Sequence, residues 1–313
     1  MKNKPKELKK AIENAKIAAI STRGLYPVIA ATNAHYTDGT KFEGETPEIK
    51  PIDLSTLTLG STFLFGRHQV NEEGPWRIEW EIIHQEDDYQ IARTSRVIDF
   101  RAFDAKEPNN PISDRAYGNN NWLVSNIKQW LNSDAEAGNW YSAQHEYDVA
   151  PSNDYTLYNT GYLDRPGFLY HFTEEEKSFL LDHTLILHKN SADGGGTGIS
   201  HEWAGKVFLP TYTNMGFGDN DGVTEGIVFN AFTNDESRTL RLHDKVFENT
   251  LFNYPGSKND YVLYWLSSDY SDNTWAARSV NSNGAFGMIV GAQCGNFGIA
   301  PCIKLPREGI IEL

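Results

Sequence analysis

The stretch that decides the fold reads YVLYWLSSDYSDNTWAARSVNSNGAFGMIVGAQCGNFGIAPCIKL and spans residues 261–305. Four apolar runs of strand length, at 261–266, 275–280, 286–290 and 299–305, alternate here with clusters of Ser, Asp, Asn and Gly. Short apolar runs separated by turn-forming residues are typical of consecutive antiparallel strands. The sequence therefore predicts an antiparallel meander that carries exposed loops.

The loops between these predicted strands combine rigid aromatic side chains with short amides and carboxylates. This mixture is typical of recognition surfaces, because aromatic rings supply contact area while amides adapt their hydrogen bonds. We therefore predict a surface that binds a sugar or a protein, and the alternative is a set of simple Asn-rich turns. The candidate ligand-binding residues are Asp269, Tyr270, Asn273, Trp275, Asn281, Asn283, Gln293, Asn296 and Phe297.

The composition predicts a well-packed core without covalent cross-links. The chain has 313 residues, of which 39% are hydrophobic and 12% aromatic, enough for one large domain or two ordinary ones. Its only cysteines, Cys294 and Cys302, flank a Gly-rich turn. A disulfide scaffold or a metal site needs more Cys or His residues, so we predict two free, buried thiols.

Charge is distributed unevenly along the chain. Residues 1–23 contain seven Lys or Arg and two Glu, a net +5, which leaves −19 for the remainder of a chain whose formal charge is −14. A strongly acidic body repels phosphate backbones, so nucleic acid is not an expected partner. Because no apolar run approaches the ~18 residues of a membrane span and no signal-peptide core is present, we expect neither membrane insertion nor export by the general secretory route.

The N-terminal part of the chain is predicted to be an arm. From Pro5 to about residue 20, apolar residues recur with the period of one helix face, and an arm or linker without periodicity follows. The face lacks the Trp or Phe of a membrane-surface helix, and the alternatives are docking on a neighbouring subunit, insertion into a host assembly or packing on the parent domain. Because a basic helix and linker precede an acidic domain, our hypothesis is that the arm anchors the chain in a larger particle. The anchoring residues are Leu8, Ile12, Ala15 and Ala19, which gives an arm over residues 1–50 and a folded domain over residues 51–313.

The middle of the chain predicts a mixed α+β domain with long loops. Residues 77–84 alternate apolar and charged side chains, as a half-buried strand does. Thr173 and Glu176 have the spacing of a helix capping box. The pattern predicts strands at 59–66, 77–84, 89–98, 184–188 and 206–211, and helices at 122–132 and from residue 173.

The sequence contains no strong motif for catalysis or metal binding. The segment GDNDGVTEG at 218–226 resembles the start of a calcium loop, but no Glu stands at the twelfth position from Asp219, so a Gly/Asp turn is predicted. The sequence contains no H-E-x-x-H or G-x-S-x-G motif, and GGGTG at 194–198 lacks the Lys of a phosphate loop. We therefore expect no enzyme, no metal and no cofactor, although 42 acidic residues leave a glycosidase-type carboxylate pair open.

Several segments together resemble a known family. In chain order they are IEWEII (78–83), FDAKEPNNP (103–111), YGNNNWLVSNIKQWLNSD (117–134), GNWYSAQHEYDVAP (138–151), KVFLPT (206–211), TEGIVFNAF (224–232), YWLSS (264–268) and GIAPCIKLP (298–306). They resemble a large clostridial and Firmicute-phage family that carries an S-x-I-R-x-W-L-N helix and a closing W-W-L-R-S-P … G-V-R-P-A signature. In this chain Ser267 stands where that family has Arg-Ser, and Ile-Ala-Pro at 299–301 replaces Val-Arg-Pro. The departures imply that two buried arginine contacts of the family are missing.

The closing signature is similar to that of the C-type-lectin-like fold in phage tropism determinants. The resemblance implies an α+β, C-type-lectin-like domain behind an N-terminal helical arm, in a virion protein made in the bacterial cytoplasm. It further implies a homo-oligomeric, non-enzymatic tail or baseplate receptor-binding protein. Its arm would bind other virion proteins, and its domain would recognise a host-surface glycan or protein.

Two other functions remain open at this point. The first is a head-decoration or scaffold protein of the virion that has no ligand. The second is an oxidase of the formylglycine-generating type, which has the same superfamily shape and works through two cysteines. Cys294 and Cys302 lie in the corresponding region, but the Arg-rich and Trp-Glu-Trp segments of those enzymes are missing.

Overall fold

A computed structural model describes residues 51–70, 74–249, 254–287 and 290–311. The chain divides into the units Met1–Pro51, with Leu313, and Ile52–Glu312. The predicted anchoring residues Leu8, Ile12, Ala15 and Ala19 lie outside the described residues.

The second unit is rich in strands, with short helices between them. In chain order its elements are β1 (Ile52–Asp53), β2 (Thr62–His68), β3 (Trp76–Gln85), β4 (Tyr89–Thr94), β5 (Asp99–Phe100), α1 (Asn126–Leu131), α2 (Glu174–Phe179), β6 (His183–His188), β7 (Ser200–Gly205), β8 (Val207–Phe208), α3 (Asp235–Arg238), α4 (Asp244–Asn249), β9 (Tyr264–Asp269), β10 (Ala276–Val280), β11 (Val290–Gly291), β12 (Gly298–Ile299), β13 (Cys302–Pro306) and β14 (Ile310–Ile311). Long irregular segments connect them. The fold is a mixed α+β arrangement, as the sequence predicts.

The first five-stranded sheet has the order β2-β3-β4-β13-β8. Strands β2 and β3, both predicted from the sequence, pair antiparallel with Phe63 opposite Trp80. Ile78, Trp80 and Ile82 are fully buried along β3, because they form its core-facing side. The predicted third strand is also present, as β4.

The second five-stranded sheet has the order β11-β10-β9-β12-β5. The predicted meander is correct for β9, β10 and β11, which pair antiparallel in succession. It is wrong for the last segment, because β12 pairs parallel to β9 and antiparallel to β5, while β13 joins the other sheet between β4 and β8. A Cβ at Gly298 would lie 2.6 Å from Val97 Cγ1, so glycine is what lets β12 enter between its neighbours.

Large aromatic residues form the interior between these elements. The tryptophans of the predicted strands and of the predicted helix at 122–132 are all at most 1% exposed, namely Trp80, Trp122, Trp130 and Trp265. Helix α2 begins with the predicted capping box, since Thr173 Oγ1 accepts from Glu176 N and Glu176 Oε2 accepts from Thr173 N. Helix α1 forms within the predicted segment, after a single 3₁₀ turn at Trp122–Val124.

The two ends of the unit meet. Strand β1 pairs antiparallel with β14, with Ile52 opposite Ile311. The turn between β3 and β4 lies beside them, because Arg307 N donates to Asp88 O and Gln85 Nε2 donates to Leu57 O. Residue 51 therefore leaves the domain next to its last strand.

Candidate recognition surface

Two buried amides fix the loop at residues 270–275, between β9 and β10. The Nδ2 group of Asn120, a fully buried residue, donates to Tyr270 O, Asn273 O and Ala276 O at 3.3, 3.0 and 2.9 Å. Asn190 Nδ2 donates to Asn273 O at 2.8 Å and to Ser271 O at 3.3 Å. These hydrogen bonds link the carbonyl groups of the loop to buried side chains, so they fix the conformation of the loop.

Asn273 has a structural role within this loop. Its Oδ1 accepts from Trp275 N at 3.1 Å and from Ala276 N at 2.8 Å. An Asn side chain that bonds to backbone groups two and three residues ahead forms a local turn. Asn273 thereby leads the chain into β10 and leaves Trp275 at the domain surface, where it is partly exposed.

Asn120→Ala is expected to lower the free energy of unfolding by about 1–3 kcal/mol, because it removes the hydrogen bonds that one buried amide donates to the carbonyls of Tyr270, Asn273 and Ala276. Urea denaturation of the full chain measures this change. Asn283→Ala is the matched control, since Asn283 is an exposed amide whose Oδ1 accepts from Ala285 N in a surface turn, and we expect it to cost about 0.5 kcal/mol or less. Equal effects of the two substitutions would contradict the role given to Asn120.

An aromatic surface adjoins this loop. Tyr117 is 55% exposed, and its ring centroid lies 5.8 Å from that of Trp275. Gln293 N donates to Tyr117 O and Leu157 N donates to Gln293 O, so the loops around residues 117 and 157 flank the loop at 291–297. Tyr158 follows Leu157 on the second of these flanking loops. We use the term aromatic surface for the ring pair Tyr117 and Trp275 together with Tyr158 on this loop.

Tyr158 is held in an unusual backbone conformation. Its φ angle is +66° and that of Asn159 is +55°, in the left-handed region that residues other than glycine seldom adopt. Tyr158 is nevertheless 53% exposed. Backbone strain of this kind persists only where the surrounding structure enforces it, and it clusters at functional sites.

Three of the predicted ligand-binding residues are not on exposed loops. Asp269, at the end of β9, and Gln293 are each 5% exposed, and Phe297 is 3% exposed. Asp269 is buried because its carboxylate accepts hydrogen bonds from other buried side chains, as described below. Phe297 is buried because its ring stacks on Trp265 with centroids 4.2 Å apart.

The other predicted residues fall into two groups. Tyr270, Asn273 and Trp275 come together in the loop at 270–275, each partly exposed. Asn281 and Asn283 lie in a separate turn after β10, where Asn281 N donates to Ala285 O. The sixth residue, Asn296, is partly exposed, although its Oδ1 is buried with no hydrogen-bond partner among the described residues.

A buried polar network supports the loop from below. Asp269 accepts from His188 Nδ1 at 2.9 Å and from Asn220 Nδ2 at 3.0 Å. Glu225 accepts from His188 N, from Asn220 Nδ2 and from Ser268 Oγ. Burial raises the pKa of Glu225. Burial also acts to lower the pKa of His188, but the hydrogen bond and charge of Asp269 outweigh it, so the pKa is raised.

The 218–226 segment takes part in this network as a turn. Asn220 and Val223 form an isolated antiparallel bridge, which confirms the predicted Gly/Asp turn. Of its acidic residues, Glu225 is fully buried and bonded within the protein. Among residues 51–70, 74–249, 254–287 and 290–311, no group of three or more His, Cys, Asp or Glu side chains is placed to hold a metal ion.

A small cavity lies beside the network, with room for about one water molecule. Typical small-molecule sites enclose about 300–1,000 Å³, so a whole ligand does not fit inside. The residues that line it are Asn121, Trp122, Leu187, His188, Asn190, Asp193, His201, Ser267 and Asp269. Since Asn190 also holds the loop at 270–275, the cavity adjoins that loop.

The family model described as Domain of unknown function (DUF6273) matches residues 91–307. The chain belongs to this DUF6273 family. Comparison with curated proteins and with solved structures finds no match. The matched residues 91–307 include the loop at 270–275, the aromatic surface, and Asn120 and Asn190, whose amides hold the loop. Strands β1, β2 and β3 precede the matched residues.

Sequence reasoning missed several residues of this DUF6273 surface, namely Tyr117, Asn120, Tyr158 and Asn190. The three consecutive Asn residues at 119–121, directly after Gly118, are a local signal for a structured polar turn. The φ angle of Tyr158 and the long-range contact of Asn190 have no local signal.

In the part of the chain that the structure describes, no helix is long and apolar enough to cross a membrane.

The two thiols are free and buried, as the sequence predicts. Burial raises the pKa of Cys294 to about 11, although Lys106 acts in the opposite direction. Burial likewise raises the pKa of Cys302 to about 12, against the effect of Arg93. Because the thiolate is the nucleophilic form, neither cysteine is prepared for reaction near neutral pH.

Native protein at pH 8 is expected to react with iodoacetamide at least about a hundredfold more slowly than a free thiol with a pKa of about 8.5. Two equivalents of label should enter after denaturation, since the chain contains two cysteines. Mass spectrometry over time measures both stages. Rapid labelling of either cysteine in the native protein would contradict the burial described here.

Proposed function

We propose that this chain is a non-enzymatic structural protein of a bacteriophage or a phage-tail-like particle, which recognises a host-surface glycan or protein. In this proposal the second unit is a C-type-lectin-like domain. Its loops bind the host surface, and residues 1–50 attach it to other virion proteins. The phage context and the lectin-like fold are supported by the resemblance of the motif series between residues 78 and 306.

The observation that carries the proposal is the rigid aromatic surface. Tyr117, Tyr158 and Trp275 are at least partly exposed on loops that buried hydrogen bonds hold in place. Exposed aromatic rings on a fixed scaffold bind strongly, because little conformational entropy is lost on contact.

The buried polar groups favour recognition over catalysis. Asp269 and Glu225 bind His188, Asn220 and Ser268 within the protein, which makes them supports of the loop. The cavity beside them accepts nothing larger than about one water molecule. The raised pKa values of both thiols likewise disfavour a cysteine oxidase.

The positions of the chain ends fit a two-part arrangement. Residue 51 leaves beside β14 and the β3–β4 turn. The loop at 270–275 is instead held by Asn120 and Asn190. The net +5 of residues 1–23 also suits contact with an acidic partner.

Adsorption to bacterial cells tests this function. Labelled full-length protein is mixed with a panel of Firmicute strains, and bound protein is measured after sedimentation. We expect saturable binding to a subset of strains, and competition by unlabelled protein. A chain lacking residues 1–50 is expected to adsorb equally well but to be lost from assembled particles. Absence of adsorption to every strain that supports the parent phage would overturn the proposal.

A further inference from the structure

We propose that the cavity beside the loop at 270–275 is a subsite for one uncharged hydroxyl or hydroxymethyl group of a neutral glycan. This inference rests on the proposed function and narrows its ligand from a glycan or protein to a neutral glycan. The sugar ring itself would remain outside, against the rim of the cavity. Nothing larger than a single hydroxyl-bearing group enters, because the space holds about one water molecule.

Two residues that line the cavity have buried polar atoms without a partner. Trp122 Nε1 and Ser267 Oγ make no hydrogen bond to any described residue, and each residue is 1% exposed. An indole N–H only donates, whereas a hydroxyl group both donates and accepts. Burying such atoms unpaired costs free energy, so their presence around one cavity indicates a ligand atom that pairs with them.

His188 adds a third polar atom to the same cavity. Its Nδ1 is fixed by Asp269 at 2.9 Å, which orients the ring. Its Nε2 lies 3.4 Å from Asp221 Oδ2 but has no hydrogen-bond geometry to it. Three residues that line the cavity therefore carry an unpaired indole N–H, hydroxyl group and imidazole nitrogen, a set that matches the donor and acceptor capacity of a sugar hydroxyl.

The charges around the cavity exclude an anionic group. Asp193 and Asp269 line it, and Asp221 and Glu225 are close to His188. Arg115 pairs with Asp193 at 2.6 Å, and Arg278 Nε donates to the backbone oxygen of Asp269 at 3.1 Å, so both guanidinium groups are already engaged. A phosphate or uronate would meet the remaining carboxylates, whereas a neutral hydroxyl group can donate to them.

An aromatic ring packs against Trp122, one of the residues that line the cavity. Trp203, on β7, is partly exposed and meets the Trp122 ring edge to face with centroids 5.5 Å apart. Its ring covers Gly205, where an added Cβ would lie 2.3 Å from Trp203 Cζ2. A tryptophan fixed in this way beside a polar cavity suits a sugar ring, since the apolar face of the ring stacks while its hydroxyl groups bond.

Ser267→Ala separates binding from stability. The substitution removes a buried hydroxyl group that has no partner, so the urea midpoint is expected to stay the same or rise slightly. Binding to neutral glycans should weaken about three- to tenfold, the effect of one lost neutral hydrogen bond. Ser178→Ala is the matched control, because Ser178 is an exposed serine whose hydroxyl donates only to Glu175 O.

The measurement is binding of full-length protein to an array of immobilised bacterial oligosaccharides. One half of the array bears neutral hexoses and N-acetylhexosamines, and the other bears phosphate or uronate groups. We expect binding to members of the neutral half, with weaker binding by Ser267→Ala and unchanged binding by Ser178→Ala. Comparable binding to the acidic half would overturn the inference.

The two proposals fail in different ways. If the protein adsorbs to cells but binds no neutral oligosaccharide, or if Ser267→Ala binds as the unaltered chain does, the inference fails and the recognition function stands. The second of these results would mean that the cavity holds only an ordered water molecule. If the protein adsorbs to no cells, the proposed function fails, whatever the array shows.

Discussion

Asp99→Ala is expected to lower the free energy of unfolding by about 3–5 kcal/mol, the range for removing one partner of a buried ion pair. Asp99 is fully buried, and its Oδ2 lies 2.7 Å from Arg101 Nη2 and 3.0 Å from His68 Nε2. The alanine variant would leave the Arg101 guanidinium, 1% exposed, without its counter-charge. Since the free energy of unfolding of a folded domain is about 5–15 kcal/mol, this variant would lose a large fraction of its stability.

The effect should extend to the loop framework. Asp99 belongs to β5, which pairs with β12 at the edge of the sheet that carries β9 and β10. Asp244→Ala is the matched control, because its pair with Arg96 spans 4.0 Å with both side chains about half exposed. Such pairs contribute about 0–1 kcal/mol. If urea denaturation gives similar losses of unfolding free energy for both variants, the contacts of Asp99 with Arg101 and His68 do not stabilise the fold more than an exposed ion pair does.

Combined substitution of Tyr117 and Trp275 by alanine is expected to reduce host-cell binding by at least about thirtyfold, the effect of removing an interface hot spot. Both side chains lie at the domain surface with ring centroids 5.8 Å apart, so their removal eliminates most of the adjoining aromatic area. The fold should be little affected, because Tyr117 is 55% exposed. Adsorption isotherms on a susceptible strain measure the change.

Tyr170→Ala serves as the control for this pair. Tyr170 is also an exposed tyrosine, at 40%, but it lies on the 3₁₀ turn Phe168–His171, away from the loop at 270–275 in the chain. We expect this variant to bind cells as the unaltered protein does. Equal binding by all variants would favour the alternative of a virion decoration protein without a ligand.

Local patterns predicted the local parts of the fold. The alternation in residues 77–84 identified β3, and the Thr173 and Glu176 spacing identified the start of α2, because each depends on residues close in sequence. The burial of the tryptophans also followed from their positions in these elements. Both free thiols were predicted from the low cysteine count alone.

Long-range pairing is what the sequence did not reveal. Strand β12 is only two residues long and is held by Phe100 and Tyr264, residues far from it in the chain. Asp269 looked like a loop carboxylate, but its partner His188 is 81 residues away, and their contact converts it into a buried support. The order of residues along the chain does not show contacts between distant segments. The predicted antiparallel meander therefore included residues 299–305, which pair differently in the structure.

The candidate site was predicted in part for the same reason. The loop at 270–275 was found because its Asp, Asn and aromatic residues are adjacent in sequence. Its neighbours Tyr117 and Tyr158 come from loops more than a hundred residues earlier, and they are brought near through Gln293. The amide supports Asn120 and Asn190 likewise act across long separations.

Hydroxyl-radical footprinting of the full-length protein, with and without envelopes from a susceptible strain, tests the central claim most directly. Recognition by the aromatic surface predicts that oxidation of Tyr117, Tyr158 and Trp275 falls on binding, while that of Tyr170 and Tyr261 stays constant. Both control tyrosines are 40% exposed, so protection of either would be detected. Protection confined to Tyr170 and Tyr261, with the aromatic surface still oxidised, would contradict the account.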